Sequence, residues 1–161
     1  MLHDFLKQSL IMAQIPFSTD EPLAQKSTFK VGSSAPLFVK PYTTEQFRSA
    51  IGGATAAELP FFVLGGGSNV VFPDSPLEAV VISTQNLSEI TVIDKEDVDD
   101  NTLSEDTVLV NCQCGTPMQA FVNFCTNHNL SGAQEFAGLP GTIGGAVYMN
   151  ARCFDKSISD I

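Results

Sequence analysis

The sequence predicts an α+β fold built from two small units. Short apolar runs bounded by glycine, proline and serine, such as PFFVL at 60–64 and AVVIS at 79–83, have the length and composition of strands. Longer stretches repeat their apolar residues at helical spacing. The two kinds of element do not alternate regularly, as a doubly wound parallel sheet would require. A boundary is expected near TQNLS, 84–88, which divides a leading helix and a strand–helix–strand unit (1–84) from a strand-rich unit with one clear helix (85–161).

The first element is MLHDFLKQSLIMAQI, where Leu2, Phe5, Leu6 and Leu10 recur along one helical face. Asp4 and Lys7 sit near its front and no basic leader precedes it, so it reads as an amphipathic helix and not a signal peptide. A cytoplasmic location is therefore expected. A Ser-, Pro- and Gly-rich stretch follows until PLFVKP offers a short strand. TTEQFRSAIGGA is a helix with Thr43 or Thr44 as N-cap and Gly52 and Gly53 to stop it. PFFVL reads as a buried strand, and AVVIS and EITVI (89–93) as further strands. The acidic run DKEDVDDNTLSED, 94–106, reads as a solvated loop; it lacks the spacing of a calcium-binding loop. In TVLVNCQC, Val108, Val110, Cys112 and Cys114 alternate with Leu109, Asn111 and Gln113, which places both cysteines on the valine face. With Cys125 and Cys153 they are expected to be reduced core thiols, and no C-x₂-C pair suggests a metal. TPMQAFVNFCTNHNLSG is the clearest helix, with Thr116 as cap, Pro117 in the first turn and Gly132 at the end. Phe121, Phe124, Cys125 and His128 share one face, so His128 reads as a helix-end residue half in the core and not as a catalyst.

The formal charge is −10, from eight basic and eighteen acidic residues among 161. A chain so acidic repels phosphate backbones, which excludes nucleic acid as an expected partner. No stretch approaches the roughly 20 apolar residues needed to span a bilayer, so no membrane partner is expected either.

Two glycine clusters remain. VLGGGSNVVF sets Gly65, Gly66, Gly67, Ser68 and Asn69 directly after a strand, a sequence suited to a nest of backbone N–H donors. In EFAGLPGTIGGAVYMNARCF, Gly138, Gly141, Gly144 and Gly145 surround Pro140, and Thr142 is placed to cap a short helix that begins at Ile143. A glycine-rich helix start offers unpaired N–H groups and the positive end of a dipole. Two such donor surfaces suggest a diphosphate held from two sides. Neither G-x-x-x-x-G-K-[ST] nor G-x-G-x-x-G is present, so no motif lysine is at hand and the anion would rest on backbone dipoles. That suits a permanently bound dinucleotide cofactor. Glycine turns that serve tight packing alone are the other reading of the same residues.

STFKVGSSAPLFVKP, VLGGGSNVVF and AGLPGTIGGAVYMNA, in this order, resemble the UDP-N-acetylenolpyruvoylglucosamine reductase family, from Ser27 to Ile161. The paired loops are shared with the wider vanillyl-alcohol-oxidase-like FAD-binding superfamily. The resemblance implies two α+β subdomains of that fold, the second incomplete, with the substrate domain absent. It implies FAD as cofactor, NADPH as hydride donor, a nucleotide sugar as substrate and peptidoglycan synthesis as the setting. Gly65 to Asn69 would wrap the FAD pyrophosphate. Gly138, Leu139, Pro140, Gly141, Thr142, Ile143, Gly144 and Gly145 would approach the cofactor from the second subdomain. Two positions depart from the family pattern. Ser33 stands where a second glycine is usual after Val31 and Gly32, and Arg152 stands where glycine follows MNA; Arg152 either contacts phosphate or is a solvated surface residue. The family's serine proton donor, tyrosine–arginine pair and late glutamate fall beyond the region that matches Ile161. No catalytic residue is therefore assigned, and the chain alone is expected not to reduce the substrate. Uncovered sheet edges are expected to favour self-association. The alternative function is a non-catalytic flavin- or nucleotide-binding remnant, or an interaction module.

Overall fold

The chain divides into two units, Met1–Leu87 and Ser88–Ile161. The computed structural model describes residues 2–93, 104 and 106–161. All of the acidic run at 94–106 except Ser104 and Asp106 lies outside these described residues.

The first unit is a four-stranded sheet with helices on one face. Its elements are α1 (Leu2–Met12), β1 (Phe17–Pro22), a 3₁₀ turn (Ala24–Lys26), β2 (Ser34–Val39), α2 (Thr44–Ala56), β3 (Phe61–Leu64) and β4 (Val80–Ser83). The sheet order is β1-β2-β4-β3, with β1 antiparallel to β2 and the other pairs parallel. β4 is buried along its whole length, as its uninterrupted VVIS run requires of a central strand covered on both faces. Val80 and Ile82 join Leu37, Val39, Leu6, Leu10, Ala50 and Ala54 in the layer under the helices. Val81 faces the other way and packs with Leu23, Ala35, Phe38, Leu64 and Phe72. That second layer is roofed by coil, since Val70, Phe72 and Leu77 come from the segment linking β3 to β4.

Thr43 caps α2 by accepting a hydrogen bond from the Gln46 N–H at 3.1 Å. Gly52 and Gly53 do not stop this helix, which runs on to Ala56. Gly53 instead lets α1 come close: a β-carbon there would lie 2.9 Å from Leu6 Cδ1. Helix packing outweighs the modest penalty of glycine in a helix interior. β3 is not a buried strand. It is the sheet edge, with Phe61, Phe62 and Val63 exposed and only Leu64 enclosed. Composition alone cannot separate an apolar edge strand from a central one.

The second unit pairs β5 (Ile90–Ile93) antiparallel with β6 (Leu109–Cys112), with Val92 opposite Val110. It continues through α3 (Met118–Asn127), a 3₁₀ turn (Gln134–Phe136), α4 (Ile143–Met149), and the small hairpin of β7 (Arg152–Cys153) and β8 (Lys156–Ser157). Its core gathers Met118, Val122, Cys125, Ala133, Phe136 and Ala146. The N-cap of α3 is Pro117 and not Thr116, which lies one residue earlier, fully buried, its hydroxyl 3.4 Å from the Glu89 carbonyl. The α3 face also differs from expectation, since its buried residues are Met118, Val122 and Cys125. His128 is exposed at the C-terminus, with its ring stacked on Phe124 at 4.1 Å. All four cysteines are free, but only Cys125 is fully buried; Cys112, Cys114 and Cys153 are half-buried.

Candidate functional site

The first glycine cluster starts where β3 ends. Leu64 anchors the strand in the core, and the backbone then turns away from the sheet through Gly65 to Asn69. Gly67 has φ +69, and a β-carbon on it would overlap the Lys26 carbonyl. The cluster is docked on a distant turn. The Thr28 N–H donates to the Gly67 carbonyl at 3.1 Å, and the Thr28 hydroxyl reaches the Ser68 carbonyl at 3.3 Å. That turn spans Ser27 to Lys30 and is closed by the Lys30 N–H on the Ser27 carbonyl at 3.3 Å, with Lys30 itself at φ 59.

The two segments, together with Gln85, line an open, shallow cavity of about 250 Å³ whose walls are Gln25, Lys26, Ser27, Thr28, Lys30, Gly66 and Gln85. None of the N–H groups of Gly65, Gly66, Gly67, Ser68 and Asn69 donates to an acceptor among the described residues. Buried Ser27 lines the cavity, and its Oγ has no hydrogen-bond partner among the described residues. Lys26 is committed to Glu21 at 2.8 Å and lies over the Phe38 ring. This pairing, with the Ser18 hydroxyl as second donor, holds the Glu21 carboxyl below the usual carboxylate range. Lys30 enters no ion pair among the described residues. Undonated N–H groups, a covered hydroxyl without a partner and a free ammonium make a surface that fits a phosphate or diphosphate group.

The second cluster is arranged differently. Gly138 and Gly141 hold φ +81 and +117, as the tight turn around Pro140 demands. Thr142 caps α4 by accepting from the Gly145 N–H at 3.4 Å. The N–H of Ile143 donates to the Thr116 carbonyl and that of Gly144 to the Cys114 carbonyl, each at 2.8 Å. The start of α4 is therefore spent inside the unit. The unpaired donors expected at that helix start are absent at Ile143 and Gly144, because the segment before α3 folds back to accept from them, and at Gly145, because the Thr142 cap accepts from it. Gly144 makes this possible: a β-carbon there would lie 2.6 Å from Cys114 Cβ. The N–H groups of Gly141 and Thr142 have no acceptor among the described residues, while Leu139 donates to Phe136. Pro140 is exposed. Arg152 is two-thirds exposed and stays within its own hairpin, with its guanidinium 4.0 Å from Asp155.

Sequence reasoning singled out the glycines and missed Ser27, Thr28, Lys30 and Gln85. A signal existed in STFK, whose serine and threonine suit a turn, but nothing local says that this turn meets residue 66. Lys30, from a different stretch of chain, lines the same cavity as Gly66.

The architecture is that of the vanillyl-alcohol-oxidase-type FAD-binding fold. UDP-N-acetylenolpyruvylglucosamine reductase from Thermus caldophilus matches with a TM-score of 0.61 at 24% identity, over 91% of this chain and 46% of that one. Cholesterol oxidase from B. sterolicum matches with a TM-score of 0.57 at 16% identity, over 86% of this chain and 25% of that one. The family model described as FAD binding domain matches residues 35–159, and the chain belongs to that family. FAD is thus the cofactor of the family to which the chain belongs. Among named relatives, UDP-N-acetylenolpyruvoylglucosamine reductase of Treponema pallidum is 36% identical over 139 residues, covering 86% of this chain and 37% of that protein. The enzyme of the same name from Borreliella burgdorferi is 32% identical, covering 99% of this chain and 47% of that protein. The chain spans about half or less of the length of these relatives.

Proposed function

We propose that this chain is the FAD-holding portion of an NADPH-dependent reductase that converts UDP-N-acetylenolpyruvoylglucosamine to UDP-N-acetylmuramate for peptidoglycan, in the cytoplasm. The substrate comes from the similarity to the Treponema and Borreliella enzymes. The observation that carries the cofactor assignment is the run of N–H groups from Gly65 to Asn69 with no acceptor among the described residues. In this reading that run holds the diphosphate, and the stretch from Gly138 to Gly145 is a further cofactor contact in the second unit. Only Gly141 and Thr142 of that stretch bring spare N–H groups; Gly144 and Gly145 leave room for close approach. When bound, FAD supplies the hydride-accepting chemistry, and the residues of this chain bind and orient it.

The experiment is an FAD titration of the purified chain followed by flavin fluorescence, with NADPH and substrate added afterwards. FAD binding that is lost in Gly66→Val supports the reading. Failure to bind FAD, or equal affinity in the variant, overturns the assignment of the glycine loop.

A further inference from the structure

Ser27 is a costly residue with no hydrogen-bonded return among the described residues. It is 3% exposed, and its Oγ is covered and makes no hydrogen bond to the described residues. A buried hydroxyl without a partner destabilises a fold, and such groups call for a specific explanation. Its neighbourhood supplies one. Ser27 lines the same cavity as Gly66, beside five consecutive N–H groups that lack acceptors among the described residues. Lys30 lines it too, held at φ 59 by the turn that begins at Ser27. A left-handed backbone is unfavourable for a lysine, so this turn keeps the ammonium's stem at the cavity at some expense.

The remaining charges near the cavity are already matched. Lys26 is paired with Glu21, and the Thr28 hydroxyl is used on the Ser68 carbonyl. Lys30 lines the cavity as a cation with no ion pair among the described residues, within a chain of net charge −10 that would otherwise repel an anion. Ser27 has three staggered χ1 wells, and a change of well is a small rearrangement for an unbranched hydroxyl.

We infer that Ser27 and Lys30 are anion-binding side chains that complete the Gly65–Asn69 backbone cradle. On this inference the Ser27 hydroxyl donates to a diphosphate oxygen and Lys30 neutralises the group. The inference rests on the proposed FAD site and adds to it the side chains that hold the phosphates. The entire anion site then lies within the first unit, and its specificity is for a diphosphate and not for the flavin ring.

The test titrates the full chain and its Ser27→Ala and Lys30→Gln variants with FAD and with riboflavin, and uses inorganic pyrophosphate as competitor. Ser27→Ala should weaken FAD binding by about 10-fold, the scale of one hydrogen bond to a charged acceptor. Lys30→Gln should weaken it by roughly 3- to 10-fold and flatten the salt dependence of the dissociation constant. Riboflavin binding should be the same in all three proteins, and pyrophosphate should displace FAD from the parent. The Ser27→Ala chain without ligand should melt no lower than the parent, because the change removes an unsatisfied polar group; a merely structural serine would not combine unchanged stability with weaker FAD binding. If FAD binding depends on the diphosphate but both variants match the parent, the inference falls and the FAD site stands. If riboflavin binds as tightly as FAD and pyrophosphate does not compete, the diphosphate cradle falls and the inference with it.

Discussion

Gly66 and Gly67 are neighbours with different duties. Gly67 holds a left-handed φ and lies against the Lys26 carbonyl, so its lack of a side chain is a requirement of folding. Gly67→Ala should lower stability by at least about 2 kcal/mol in urea unfolding, from backbone strain and the overlap with Lys26. Gly66 is exposed, lines the cavity and has no positive φ. Gly66→Val should therefore keep the parent's circular dichroism and melting temperature while losing FAD. Equal stability of the Gly67 variant and its parent would show that the loop is not held by the turn at Ser27. Glu21 carries a pH signature at the same scale. Its carboxyl is held below its ordinary range by Lys26 and then Ser18, so its stabilising effect is present above that range and is lost as the pH falls through the lowered folded value. The melting temperatures of parent and Glu21→Gln should differ near neutral pH and converge as the pH falls through the lowered folded value of Glu21. A gap that persists in acid would mean that Glu21 acts through packing and not through charge.

At the scale of elements, the helices depend on caps and close approaches more than on intrinsic propensity. Thr43→Ala removes the acceptor for the Gln46 N–H and should cost about 1 kcal/mol of stability, read by thermal or urea unfolding. Gly144→Ala should cost roughly 1–3 kcal/mol, because the new methyl group meets Cys114 and parts α4 from the carbonyl that accepts its N–H. The thiols report on the same packing. Burial pushes the Cys112, Cys114 and Cys125 thiols up from their ordinary value, and Cys125 is the fully buried one. Alkylation followed by mass spectrometry at neutral pH should modify Cys125 more slowly in the folded chain than in urea, because the thiolate is the nucleophile. Equal rates would place Cys125 outside a stable core.

For the molecule as a whole, burial is uneven. The central strand β4 of the first unit is covered on both faces, whereas the second unit carries an open cavity of about 950 Å³ lined by residues that include Leu109, Val110, Phe121, Ile143, Val147 and Ile158. Val147, Tyr148 and Met149 are exposed along α4, and Phe154 is exposed at the tip of the β7–β8 hairpin. Apolar surface of this kind favours association. Light scattering coupled to gel filtration should show mass above that of the 17.2 kDa monomer at raised concentration. A monomer at every concentration would overturn that expectation. No helix among the described residues is long and apolar enough to cross a membrane.

The sequence by itself determined the α+β class, the positions of most strands and helices, and the two glycine clusters. These are written locally, in apolar period, turn residues and runs of glycine. It could not tell that PFFVL is an edge strand, because burial depends on which neighbours pair with it. It could not tell that Gly52 and Gly53 stay helical, because that is decided by Leu6 across the packing between helices. Tertiary structure alone consumed the N–H groups at the start of α4, through carbonyls of Cys114 and Thr116 that lie outside the glycine motif. It also brought Ser27 and Lys30 to Gly66, some forty residues away along the chain. Local pattern records the conformation each segment prefers. Which donors stay free for a ligand is settled only when distant segments have claimed the rest.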